Sequence, residues 1–151
     1  MYNDYCQTPI GTVRIEATAK GISALKFVDK AATDSHSCDL IKCCINQLNK
    51  YFAHKLFNFT LPLDLIGTVF QRSVWNKLAS LSYGETYSYA EIANSLHNPK
   101  ALRAVGGANS KNPVAILLPC HRVIGSNGHL TGYAWGVERK RWLLEHEGIV
   151  Q

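Results

Sequence analysis

Cys120 lies between Pro119 and His121, and a cysteine beside a histidine is the chain's sharpest candidate for nucleophilic chemistry. A thiol with the ordinary pKa of about 8.5 is only about three per cent thiolate at pH 7. It needs a base, and a histidine supplies one best when a carboxylate orients its ring. In an extended segment neighbouring side chains point to opposite sides. Contact between Cys120 and His121 therefore requires a bridging water or a local turn, and Pro119, with its fixed φ and no backbone donor, favours irregular backbone there. The pair alone leaves two other readings open: a buried cysteine beside an incidental histidine, and a cysteine hydrolase of many turnovers.

The stretch from Asn98 to Asn109 narrows the choice. Asn98-Pro99 predicts a helix start with proline in the first turn, running to about Asn109. On a helical wheel Leu102 and Val105 face one way, while Arg103, Ala104 and Gly107 face the other. That second face is nearly bare around one arginine, although the adjacent glycines Gly106 and Gly107 each cost a helix about 1 kcal/mol relative to alanine. A helix so smooth can enter a DNA minor groove about 6 Å wide, with Arg103 taking the place of a flipped nucleotide. Close helix–helix packing is the alternative for the two glycines. Tyr89 falls in the first turn of the preceding helix, where free N–H groups favour phosphate. Its hydroxyl can also donate to a base, and the alternative is an aromatic packed in the core.

These residues need elements to hold them. Thr12–Thr18 alternates Val13, Ile15 and Ala17 with polar residues, the period of a half-buried strand. Lys20-Gly21 signals a turn, and Ile22–Val28 reads as the second arm of a hairpin. Asp39–Phe52 places Leu40, Ile41, Cys44, Ile45, Leu48, Tyr51 and Phe52 on one face of an amphipathic helix. After Asn58–Leu65, Gly67 marks a boundary that predicts two domains, 1–66 and 67–151. Thr68 caps a helix that turns Phe70, Val74, Trp75, Leu78 and Leu81 inward. Ser88-Tyr89-Ala90-Glu91 is a capping box opening a short helix that ends near His97. With the helix that follows, it makes a helix-turn-helix. An apolar run from Pro113 to Ile124 is interrupted by Pro119-Cys120-His121-Arg122. A loop with Gly125, Gly128 and Gly132 comes next, then a last helix from about Val137 to Glu147, stopped by Gly148.

Composition sets the bounds. Hydrophobic residues at 46% and charged residues at 18% fit a folded globular chain. No apolar run is long enough to cross a bilayer, and Met1–Ile10 lacks the pattern of a signal peptide, which predicts a cytoplasmic protein. The net charge of +5 favours a polyanionic partner without requiring one. Five cysteines, an odd number, speak against a disulfide framework. Cys6, Cys38, Cys43, Cys44 and His36 lack standard zinc spacing, and Cys44 falls on the apolar face of its helix while Cys43 falls on the polar one. Neither a metal nor a cofactor is expected.

Taken together, the motifs resemble the methylated-DNA–protein-cysteine methyltransferase family, the O6-alkylguanine-DNA alkyltransferases. The active-site signature reads Pro119-Cys120-His121-Arg122-Val123-Ile124. Upstream stand Asn98-Pro99-Lys100-Ala101-Leu102-Arg103-Ala104-Val105-Gly106-Gly107-Ala108 and Asn112-Pro113. Downstream stand Leu130-Thr131-Gly132-Tyr133-Ala134-Trp135-Gly136-Val137-Glu138-Arg139-Lys140 and Leu143-Leu144-Glu145-His146-Glu147-Gly148. Thr8-Pro9-Ile10-Gly11 and Leu61-Pro62-Leu63-Asp64 resemble the family's N-terminal half.

The resemblance implies an α+β/α fold. A ribonuclease-H-like sheet-plus-helix domain is followed by a mainly helical domain with a helix-turn-helix. It implies stoichiometric, irreversible transfer of an alkyl group from O6-alkylguanine in double-stranded DNA to Cys120, with O4-alkylthymine left open. In that scheme His121 is the base through a water, Glu147 polarises His121, and Asn112 braces the turn. Tyr89 donates to the base and positions a phosphate. Backbone groups near Val123 and Ala134, with Tyr133 beside them, line the guanine pocket. Arg103 fills the gap left by the flipped base, Asn98 and Ser126 contact DNA, and Gly106 and Gly107 allow close approach. The implied protein is a monomer without membrane contact, with cooperativity on DNA left open. Ala134 departs from the serine that some relatives carry. Alkyltransferase-like proteins bind the same lesions without transfer but replace the nucleophile, whereas Cys120 is retained here.

Overall fold

Three antiparallel strands open the chain in the order β1-β2-β3: β1 (Tyr2–Thr8), β2 (Gly11–Ala17) and β3 (Ile22–Val28). They are seen in a computed structural model that describes residues 1–130 and 133–149. Thr131 and Gly132, which the sequence places in the glycine loop and the downstream block, lie outside the described residues. The first hairpin turns at Thr8–Gly11, where Thr8 Oγ1 donates to Gly11 O at 2.6 Å. Alternation buries Val13, Ile15 and Ala17 completely, and α1 (Asp39–Phe52) packs its Ile41, Cys44, Leu48 and Tyr51 stripe against β1 and β2.

β1 is not announced by the sequence, because the positions that pair with Ala17, Ile15 and Val13 are Tyr2, Asp4 and Cys6, which make no apolar alternation. Gly21 is required by close approach: a Cβ there would lie 2.7 Å from Pro62 O. The Leu61–Asp64 segment runs beside it, with Ile22 N donating to Pro62 O and Asp64 N to Ile22 O.

The chain divides into two compact units. One comprises Met1–Ile66 together with Pro113–Leu117, and the other Gly67–Asn112 with the described residues from Leu118 onward. Pro113–Leu117 joins the first unit by pairing with β3: Leu25 N donates to Pro113 O at 2.9 Å and Ala115 N to Leu25 O at 3.0 Å. Within this segment Ile116 has φ +71 and is buried. Leu117 N donates to Ala115 O at 2.8 Å, the hydrogen bond of a γ-turn in its rarer, strained form.

The second unit is mainly helical. α2 (Val69–Leu78) is capped by Thr68, and Gln71 completes the box. α3 (Tyr89–Ser95) carries the expected capping box from Ser88 and Glu91. α4 (Leu102–Ser110) follows and packs on α2 and α3, so that α3 and α4 form the helix-turn-helix. α5 (Val137–His146) closes the unit. Two short parallel strands, β4 (Tyr87–Ser88) and β5 (Val123–Ile124), link the entrance of α3 to the end of the cysteine segment.

α4 begins later than Asn98-Pro99 suggested. Ala101 N donates to Asn98 O at 3.0 Å, so residues 98–101 form a separate turn, and Ala101 has the non-helical ψ of 29°. Leu102, expected on the inward face, is 46% exposed as a result.

Candidate active site

Cys120 begins a 3-10 turn, Cys120–Arg122. Pro119 sets it up with φ −80 and ψ 60, and Cys120 N donates to Leu118 O at 2.8 Å, an inverse γ-turn. This is the local turn that brings the cysteine and histidine onto one short piece of backbone. Two asparagines from the end of α4 and just beyond clasp it. Asn112 Nδ2 donates to Cys120 Sγ at 3.1 Å and to Leu118 O at 2.8 Å. Asn109 Nδ2 reaches Cys120 O at 3.4 Å. The sulfur is buried, and burial pushes the Cys120 thiol up to about 11, only partly opposed by the Asn112 hydrogen bond and the nearby Lys140 charge.

His121 is fully buried, and its Nε2 lies 2.7 Å from Glu147 Oε2. Arg122 meets the same carboxylate with two nitrogens, Nε to Oε1 at 2.8 Å and Nη2 to Oε2 at 3.0 Å. Burial alone would raise the Glu147 carboxyl, but hydrogen bonds from His121 and Arg122 hold it well below the usual carboxylate range. An ionised Glu147 requires the proton of neutral His121 to sit on Nε2. His121 Nδ1 is buried with no hydrogen-bond partner among the described residues, so its lone pair is available. Burial also lowers the His121 pKa despite Glu147, which leaves the ring an uncharged base.

α5 supplies a second buried charge. Lys140 is fully buried and its Nζ donates to Val123 O at 2.5 Å. Burial brings its pKa down to about 8. Val123 is itself buried, Tyr133 is 7% exposed with its hydroxyl buried and unpartnered among the described residues, and Ala134 is exposed.

The DNA-contact candidates converge elsewhere on the second unit. A cleft of about 430 Å³ is lined by Tyr89, Leu102, Arg103, Gly106, Ser126 and Asn127, among others. A Cβ added at Gly106 would lie 4.0 Å from Tyr89 Cε1, while one added at Gly107 would meet no described atom within 4 Å. The bare face of α4 is therefore an exposed surface, and Gly107 is not buried against a neighbouring helix. Asn98 is exposed in the turn before α4 and does not line the cleft.

Residues 69–149 match the model of the 6-O-methylguanine DNA methyltransferase DNA-binding domain, and residues 1–65 match that family's ribonuclease-like domain. The chain belongs to the 6-O-methylguanine DNA methyltransferase family. It is 45% identical to the methylated-DNA–protein-cysteine methyltransferase of Methanosarcina barkeri, over 97% of each chain. It is 44% identical to the Mycobacterium tuberculosis protein of that name, over 93% of this chain and 88% of the relative. The crystal structure of Mycobacterium tuberculosis OGT in complex with DNA superposes with a TM-score of 0.88 at 42% identity, covering 98% of this chain and 93% of that one.

Three residues of this 6-O-methylguanine DNA methyltransferase site escape a search for chemistry in the sequence. Arg122 sits inside the signature, where nothing in the sequence says which group it meets. Lys140 lies on the stripe of α5 that buries Leu143 and Leu144, and Glu147 follows as the residue that caps the helix's C-terminus. A charged residue at a core position of a helix is a readable signal, and for Lys140 it was there to be read. Asn109 gave no comparable sign.

Proposed function

We propose that this chain repairs DNA by transferring the alkyl group of O6-alkylguanine irreversibly onto Cys120. The observation that carries the reading is a buried cysteine in one 3-10 turn with a histidine whose Nε2 is tied to an ionised Glu147 and whose Nδ1 has no partner among the described residues. The partner is double-stranded DNA with the damaged guanine turned out of the stack, bound by residues 67–151 while residues 1–66 complete the protein. No cofactor takes part. No described helix is long and apolar enough to cross a membrane, and we place the protein in the cytoplasm as a monomer.

At rest the sulfur is a thiol, since a pKa of about 11 leaves about one part in ten thousand ionised at pH 7. Its proton passes to His121 Nδ1 through a water as the alkyl carbon comes into line. The sulfur–carbon bond forms while the carbon–O6 bond breaks, and the electron pair goes to the purine. Tyr89 donates to the departing base, so that in net terms the thiol proton ends on guanine. Asn112 keeps the sulfur aimed. The Val123 and Ala134 backbone and the Tyr133 ring bound the guanine. Arg103 takes the place of the turned-out base, Gly106 and Gly107 let α4 approach, and Asn98 and Ser126 contact the DNA strand. The product is a poorly reactive thioether, and none of the described groups near it, Asn112, His121, Lys140 and Tyr133, can remove the alkyl carbon, so each molecule acts once.

Incubation with an oligonucleotide containing O6-methylguanine tests this directly. One methyl per protein on the Cys120 peptide is expected, and none in Cys120→Ala. Tight binding of the lesion with an unmodified Cys120 would overturn transfer in favour of lesion recognition alone.

A further inference from the structure

Arg122 makes more of Glu147's contacts than His121 does. Besides its two bonds to the carboxylate, its Nη1 donates to Leu81 O at 2.7 Å, and its guanidinium lies 5.7 Å from the Tyr83 ring centroid. Gly84 N adds a donor to Glu147 Oε1 at 3.2 Å. With His121 Nε2, four donors fill the roughly four lone-pair positions of a carboxylate. Glu147 so stabilised as an anion is a weak base, and the thiol proton stops at His121.

The charge balance matters as much as the geometry. A lone carboxylate beside a buried imidazole would draw a proton onto the ring and spend the base before the substrate arrives. A carboxylate already paired with a guanidinium carries no net charge toward the ring, and burial then favours the neutral form.

We propose that Arg122 is a positioning residue for alkyl transfer: by pairing with Glu147 it keeps His121 an uncharged base with Nδ1 open toward the cysteine. This rests on the transfer reading above. The other groups that face the pair are Cys120 in the same turn, Lys140 from α5 and Tyr83 from the loop after α2. All three remain in an Arg122 variant, so a change in pH response is attributable to the guanidinium.

The test is the single-turnover rate with free O6-benzylguanine as a function of pH, for the natural chain, Arg122→Met and Arg122→Lys. In Arg122→Met, the unpaired Glu147 carboxylate either draws a proton from solvent onto His121 or takes one up itself. Both outcomes remove the base on the acid side, so the acid limb moves upward. A shift of one unit or more gives about a tenfold or greater loss near pH 7 that recovers toward the natural rate by about pH 9. Arg122→Lys, which restores the charge, should recover part of the shift. A uniform loss with an unmoved limb would overturn the proposal.

Ring nitrogen-15 shifts of His121 in the natural protein decide the matter even if a variant does not fold. A neutral ring protonated on Nε2 at pH 7 is expected, and an imidazolium or the Nδ1–H tautomer refutes it. Absence of any transfer by the natural chain would instead fail the functional reading itself.

Discussion

Burial acts alike on Cys120 and Glu147, pushing each toward its neutral form, yet the two end on opposite sides of neutrality. Hydrogen bonds make the difference. Glu147 receives His121, a bidentate Arg122 and a backbone N–H, while the sulfur receives an asparagine amide and backbone N–H groups but no charged donor. Because the folded carboxyl of Glu147 lies below its ordinary value, the stability it adds is complete above about pH 4.3, the unfolded pKa, and drains away as pH falls through the folded one. Glu147→Gln leaves a 5% exposed Arg122 without its anion. Urea unfolding at neutral pH should show a loss of about 3–5 kcal/mol, together with a flatter stability profile in acid. Cys120, His121 and Glu147 were legible in the sequence, through a signature and a family pattern. Arg122 was not, because its role depends on which carboxylate the fold brings to it.

α4 shows how an element can be read correctly in kind and wrongly at its edge. Its smooth face was legible, since Arg103, Ala104 and Gly107 are all exposed. Its start was not, because proline after asparagine suits a free-standing turn as well as a first helical turn. The open space at Gly107 separates folding from function. Gly107→Ala should raise stability by up to about 1 kcal/mol in thermal unfolding. Gly107→Leu should fold equally well and yet slow repair in duplex DNA, with free O6-benzylguanine reacting at the natural rate. Arg103→Ala should show the same split. Equal losses on duplex and free base would remove the DNA-facing role of this helix. β1 escapes the sequence for a related reason: a strand that sets Tyr2, Asp4 and Cys6 on its core-side face does not announce itself by hydrophobic period.

Across the whole molecule the excess of 16 lysines and arginines over 11 acidic residues gives a net charge of +5. Arg122 and Lys140 are buried among the active-site groups and cannot meet phosphate, so the DNA-binding charge comes from elsewhere. Affinity for duplex DNA should fall linearly on a log–log plot against salt, and Arg103→Ala should change that slope by no more than about one. A salt-independent affinity would contradict a phosphate-driven encounter.

Pairing of β3 with Pro113–Ala115 ties the order of synthesis to the order of assembly. When residue 66 leaves the ribosome, Leu25 still offers its N–H and C=O to solvent, and nearly fifty more residues must be made before their partners arrive. Until then the sheet has a raw border, the kind that recruits neighbouring chains. A message cut short after the first unit's main stretch would therefore yield a sticky half-product, and the same strand pairing that completes the sheet also delivers the backbone leading to Cys120.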